Sequence, residues 1–413
     1  MHLVSLNLTD LLVSLFRGTI KCETTDKKTE WGFAVLQGDA WKTHGAQVAD
    51  CTRFLPGSFD RPPRNPAEKI KSGYKAWEFL MYIFGLGPCL FYASPLPIEF
   101  FRNFCRLVRA IRITLAYTIH ADDLVEAHNH FVQFSTEFEE LYYKRRPDRL
   151  HFIRQSIHAL SHICPEVHRL GPQACYTQWV MERAIGSFVQ ELRNHSNPYA
   201  NLSERFIRRA QLNALKAMFP GLEHSKYKTG EYPKGAEEVG SGYVLLRAVD
   251  AKEHTIRTAE GKALRDYLRK HDPIIHNGEI RYGEVQYFLQ LNIGAQKQAV
   301  ALLSLWSLPE PQLLELSYST IHSCLPSGDE GLVIIPVHCI QSVVAMIPHP
   351  AHIPSNDGHI EYRPVNVAGR WCVVEKPGLE VAYHAGRNED IFAQDEGNGE
   401  GGQGSAETMR GDD

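Results

Sequence analysis

The sequence predicts an α+β protein: a mostly helical region over residues 1–225, a linker over 226–242, a small antiparallel β-rich domain over 243–385 and a disordered acidic tail over 386–413. Three observations lead there. Apolar residues recur at helical spacing through the first half, whereas the second half carries short β-rich runs parted by Gly, Pro, Asn and Asp. The polar, glycine-bearing stretch 226–242 marks the change. Charge is uneven as well: from Gly386 onward two basic residues face eight acids, a net −6 that leaves the body at +2 in a chain of net −4. With so few apolar residues that tail has no core to form. At 413 residues the chain exceeds one ordinary core, and 43% hydrophobic with 22% charged residues excludes a wholly disordered or fibrous protein.

Taken in order, residues 3–16 place Val4, Leu8, Leu11, Leu12 and Leu15 on one helical stripe, and Gly18 stops it. A polar stretch, 21–30, precedes a helix over 31–49. Four prolines and a glycine make 54–66 an ordered loop. Helical patterns resume at 67–84, 98–117, 121–143, 149–163, 174–195 and 202–219, with Asp122 and Asp123 in a first turn, where the helix dipole favours negative charge. Strands are predicted at 243–249, 280–291, 300–306, 332–336, 340–347 and 371–374. The run 79–98 is uncharged and long enough to cross a bilayer, but Gly85, Gly87, Pro88, Pro95 and Pro97 predict two short buried helices around a loop instead.

Nine cysteines cannot all pair internally, and no C-x-x-C occurs, which predicts a reducing compartment and mostly buried free thiols. The opening Met1-His2-Leu3-Val4 has none of the parts of a secretory signal. A soluble protein without a membrane partner is expected.

Three groups of residues attract chemical interest. His151, His158, His162, Cys164, His168 and Cys175 form the densest set of metal-ligand types, and His158 and His162 share a helix face. The flanking pattern is neither a zinc finger nor a zincin motif, so structural histidines are favoured over a zinc site. A basic series comprises Lys144, Arg145, Arg146, Arg149 and Arg154, then Arg205, Arg208, Arg209 and Lys216. Its spacing suits phosphates along a groove, although Glu137, Glu139, Glu140 and Glu204 make a solvated face the better reading on charge alone. On the helix 174–195, Glu182 sits at the edge of the stripe Met181, Ile185, Phe188 and Leu192, with Arg183 beside it and Gly186 one turn on. By itself it reads as a surface acid. No phosphate-binding glycine loop or nucleophile elbow is present, and no small-molecule substrate is evident.

Several segments, in order, resemble the transposases of CACTA-type (En/Spm-like) DNA transposons, closest to those of basidiomycete fungi. They begin with Met1–Asn7 (MHLVSLN), 15–22 (LFRGTIKC), 55–69 (LPGSFDRPPRNPAEK) and 73–78 (GYKAWE). They continue through 142–151 (YYKRRPDRLH), 156–162 (SIHALSH), 170–172 (LGP), 179–183 (WVMER) and 195–198 (HSNP), and reach 282–287 (YGEVQY) and 343–348 (VVAMIP). The resemblance implies the C-terminal part of an RNase H-like core with a helical insertion. It also implies a DDE/D mechanism, in which three carboxylates hold two Mg²⁺ or Mn²⁺ ions about 4 Å apart. On that match Glu182 is the third carboxylate, and His158 and His162 support the core. Arg145, Arg146, Arg149, Arg183, Arg205, Arg208 and Arg209 are expected to contact DNA. DNA and other transposase subunits are the implied partners, and the nucleus is the implied compartment. The family places one acid two residues before the Met-His that opens this sequence and another further upstream, and neither is here. The expectation is therefore a truncated DDE-type transposase that does not perform strand transfer alone. The alternative is a non-catalytic DNA- or protein-binding module retained from a transposon.

Overall fold

The computed structural model describes residues 2–59, 61–191, 196–219, 234–238, 244–246, 255–269, 280–293 and 296–376. Their helices are α1 (Thr9–Phe16), α2 (Gly38–Asp50), α3 (Pro66–Lys69), α4 (Ala76–Leu80), α5 (Gly87–Tyr92), α6 (Ile98–Thr114), α7 (Ala121–Phe138), α8 (Gln155–Leu170), α9 (Trp179–Glu191), α10 (Pro198–Met218), α11 (Thr258–Leu268) and α12 (Pro311–Leu316). The strands are β1 (Glu237–Glu238), β2 (Val244–Leu245), β3 (Gly283–Ile293), β4 (Gln296–Leu305), β5 (His322–Cys324), β6 (Leu332–Pro336), β7 (Ala345–Pro348) and β8 (Trp371–Val374). The α+β class expected from the sequence is present. None of the described helices is long and apolar enough to cross a membrane.

The chain divides into two compact units whose limits differ from the boundaries expected at 225 and 243. One unit joins His2–Ala174 with Glu310–Ser323 and the chain from Gln341 onward; the other joins Cys175–Pro309 with Cys324–Ile340. So α9 and α10 group with the longer strands, while α12, β7 and β8 group with the helices. The expected single β-rich domain over 243–385 is thereby split. The cause is visible in the backbone groups that the late segment satisfies: Arg363 donates to the carbonyls of Tyr92 (2.7 Å), Ser94 (2.9 Å) and Leu96 (2.7 Å), just beyond the end of α5. A buried cation there completes carbonyls that the helix cannot pair itself.

The helical unit is built on aromatic contacts. Phe91 packs against Phe16 and Phe104 with ring centroids 5.2 and 4.9 Å apart, and Tyr142 contacts Phe33 at 5.1 Å and Phe138 at 4.6 Å. The apolar run 79–98 is buried within this unit; it breaks between Tyr92 and Ile98, where Pro95 and Pro97 predict, but not at Gly85–Pro88. A wide π-type turn over Met81–Leu86 joins α4 to α5, and Pro88 falls in the first turn of α5, where its missing N–H matters least. The carbonyls left over at Phe84 and Gly85 accept from Arg112 Nε (2.9 Å) and Nη2 (3.0 Å). Two other helices differ from expectation. Gly73, at φ +70°, parts α3 from α4 within the expected helix 67–84. By contrast, α8 continues past Pro165 to Leu170, burying Ile157, Leu160, Ile163, Cys164 and Val167.

In the other unit, β3, β4 and β6 form an antiparallel sheet in that order, with a bulge between Val285 and Tyr287. Strand β4 is apolar from Ala299 to Leu303 because both faces are used there. Val300 and Leu302 pack with Ile334 and with Ala263 of α11, whereas Ala301, Leu303 and Leu305 pack with Val333 on the opposite face.

Candidate functional site

Helix α8 presents His158 and His162 from its exposed side, with the Nε2 atoms 3.1 Å apart and the rings 4.9 Å apart. At that separation one nitrogen donates and the other accepts. Cys164 is buried, and burial pushes its thiol up to about 11. The three therefore do not converge, and the histidine pair is the solvent-side feature. Just before it, Arg154 pairs with Asp10 at 2.6 Å. These two residues, with Leu6, Asn7, Phe79, Gln155 and Ser156, line a cleft of about 440 Å³.

The arginines expected on DNA separate by environment. Arg149 is buried, 1% exposed, and cannot reach a phosphate. Its guanidinium forks onto Asp26 through Nε–Oδ2 at 2.8 Å and Nη2–Oδ1 at 2.7 Å, and Trp31 Nε1 adds a third donor at 2.9 Å. Burial alone would raise the Asp26 carboxyl, but the hydrogen bonds from Arg149 and Trp31 outweigh it and hold the group below its ordinary value. Arg149 is thus a structural residue and not the DNA contact expected from the sequence. Arg146 is engaged in the same network, with Asp148 at 2.8 Å and Asp26 at 3.6 Å. Arg145 is exposed, with Glu139 at 3.9 Å. On α10, Arg208 pairs with Glu204, and Arg209 lies over the Phe188 ring at 5.1 Å; Arg205, on the same helix, is half-buried. The Arg183 side chain lies outside the described residues.

Glu182 is exposed in the first turn of α9. No trio of His, Cys, Asp or Glu ligands converges on it among the described residues. One exposed carboxylate does not fit the pair of Mg²⁺ ions that the family resemblance implies.

One ligand trio does converge elsewhere, and sequence spacing did not reveal it. Cys89 of α5, His349 just after β7 and Cys372 of β8 bring Sγ, a ring nitrogen and Sγ within 4.8 Å of one another. Cys89 Sγ lies 3.4 Å from His349 Nδ1, and His349 Nε2 lies 2.9 Å from Ser323 Oγ. Both thiols are buried and the imidazole is partly so. Burial first, then the nearby charges of Arg370 and His352, lowers His349 to about 4, so its ring is neutral at neutral pH. A contact with Cys372, then burial, raises the Cys89 thiol well above its ordinary value. Cys51, at the C-terminal end of α2, is the neighbouring thiol; its Sγ donates to the Gln47 carbonyl at 3.2 Å, and burial, followed by the nearby Cys372, raises it to about 12.

Compared with protein-family models, with curated proteins and with solved structures, this chain matches none.

Proposed function

We propose that this chain is of the CACTA-type DDE transposases and carries the third carboxylate of an RNase H-like core. In this reading it associates with DNA in the nucleus and does not perform strand transfer with its own matched carboxylate alone. The observation that carries the reading is that segments quoted for the resemblance depend on one another physically. Arg64, from the segment 55–69, donates Nε and Nη2 to the two oxygens of Glu78 in the segment 73–78, at 2.7 and 2.8 Å, and the Glu78 side chain is fully buried. The Lys75 amide adds a donor at 2.9 Å. A fully buried carboxylate held this way requires both segments together. Glu182 is the residue assigned to chemistry, and Arg145, Arg205, Arg208 and Arg209 are the arginines retained as phosphate contacts.

The test is strand transfer of labelled DNA ends with Mg²⁺ or Mn²⁺. It compares this chain with a version joined to two upstream Asp-bearing strands, each with and without Glu182→Gln. Transfer by the joined form alone, abolished by the Gln substitution, is expected. Transfer by the chain itself would overturn the carboxylate assignment. Transfer by neither form would favour a binding module without catalysis.

A further inference from the structure

We propose that Cys89, His349 and Cys372 bind a thiophilic divalent cation, zinc above all, and so clip the β7–β8 hairpin to helix α5. This does not depend on the transposase reading. Tetrahedral zinc, with sulfur at about 2.3 Å and nitrogen at about 2.0–2.1 Å, sets a sulfur–nitrogen edge of about 3.5 Å. The Cys89 Sγ to His349 Nδ1 distance of 3.4 Å is that edge, and Cys372 Sγ lies within 4.8 Å of both atoms. A thiol–imidazole hydrogen bond would account for the Cys89–His349 contact alone, whereas three ligand atoms lie within 4.8 Å of one another.

The surroundings of the imidazole fit as well. A metal-bound histidine normally gives its other ring N–H to a fixed acceptor, which selects the tautomer. Here Nε2 faces Ser323 Oγ at 2.9 Å; with Nε2 as the donor, Nδ1 is left unprotonated toward Cys89. Ser323 is itself anchored, since its carbonyl accepts from the Glu310 amide at 2.9 Å and from Arg370 Nη1 at 3.4 Å. Two soft thiolates and an imidazole select zinc over magnesium or calcium, which prefer oxygen. Three protein ligands leave the fourth position to water.

Binding converts two thiols to thiolates and releases two protons to solvent, with no change in oxidation state. Apparent affinity should therefore fall about hundredfold for each unit of pH lost.

The full chain, purified under reducing conditions without chelator, should hold one zinc per chain by elemental analysis. Cys89→Ser/Cys372→Ser should lose it, and Ser323→Ala should weaken it by about 10–100-fold. Should the double variant fail to fold, cobalt substitution of the unaltered chain decides. Tetrahedral d–d bands with a thiolate-to-cobalt charge-transfer band are expected, and neither should survive in His349→Gln. Absence of those bands, zinc content unchanged in the variants, or a Cys89–Cys372 disulfide without metal would each overturn the proposal.

Discussion

Single buried side chains set much of this molecule's pH and charge sensitivity. His44 is fully buried, with Nε2 2.8 Å from the Tyr82 hydroxyl, and burial lowers it to about 3. An unfolded histidine takes up its proton near pH 6.5, so between about 6.5 and 3 the unfolded chain holds a proton that the folded chain refuses. Stability is thus present above the unfolded value and falls by about 1.4 kcal/mol per pH unit below it. Urea melts at stepped pH should show that slope in the native chain and a shallower one in His44→Phe. Asp26 acts in a lower window: its depressed carboxyl contributes stability above about 3.8, which is lost as pH falls through its folded value. The same carboxylate makes Arg149 indispensable, because removing one partner of a buried pair strands the other. Arg149→Met should cost about 3–5 kcal/mol. The exposed Arg145→Glu should stay within about 0.5 kcal/mol. Equal losses in urea midpoints for the two would contradict the buried assignment.

At the scale of elements, long amphipathic helices were legible and irregular ones were not. The sequence pattern over 121–143 finds its helix, with Asp122 and Asp123 in the first turn of α7 as expected. The pattern over 332–336 matches β6. Helix α11 was missed because it is short and polar; its start is set by the Glu260 side chain, which accepts from the Arg257 amide at 2.8 Å. The joint between α4 and α5 was misread because proline and glycine signal a break only when nothing takes up the freed carbonyls. Arg112 takes them up from α6, and it also donates to the Thr320 carbonyl at 2.9 Å. Arg112→Met should therefore cost about 3 kcal/mol, with faster amide exchange confined first to Met81–Tyr92. Exchange unchanged there would mean that the π-type turn holds itself. The candidate metal centre was illegible for a related reason: Cys89 and His349 are 260 residues apart, so no local spacing links them. The spacing that did stand out, His158 to His162, marks an exposed helix face with its cysteine turned inward.

At the scale of the whole chain, the decisive feature is that the helical unit is discontinuous. Its last segment brings Arg363 to the end of α5, donates the Ile353 amide to the Ala93 carbonyl at 2.8 Å, and offers the Val365 carbonyl to the Tyr92 hydroxyl at 3.0 Å. Four carbonyls at the end of α5, those of Tyr92, Ala93, Ser94 and Leu96, accept from this segment. This has a consequence for the order of events on the ribosome. The helices emerge first, yet the segment that completes them follows only after the intervening unit has been translated, so the aromatic interior waits part-made through that interval. A nascent chain in this condition exposes apolar surface until its last segment has been made. Release before residue 376 would deliver a polypeptide whose first unit, although fully synthesised as helices, has nothing to close it.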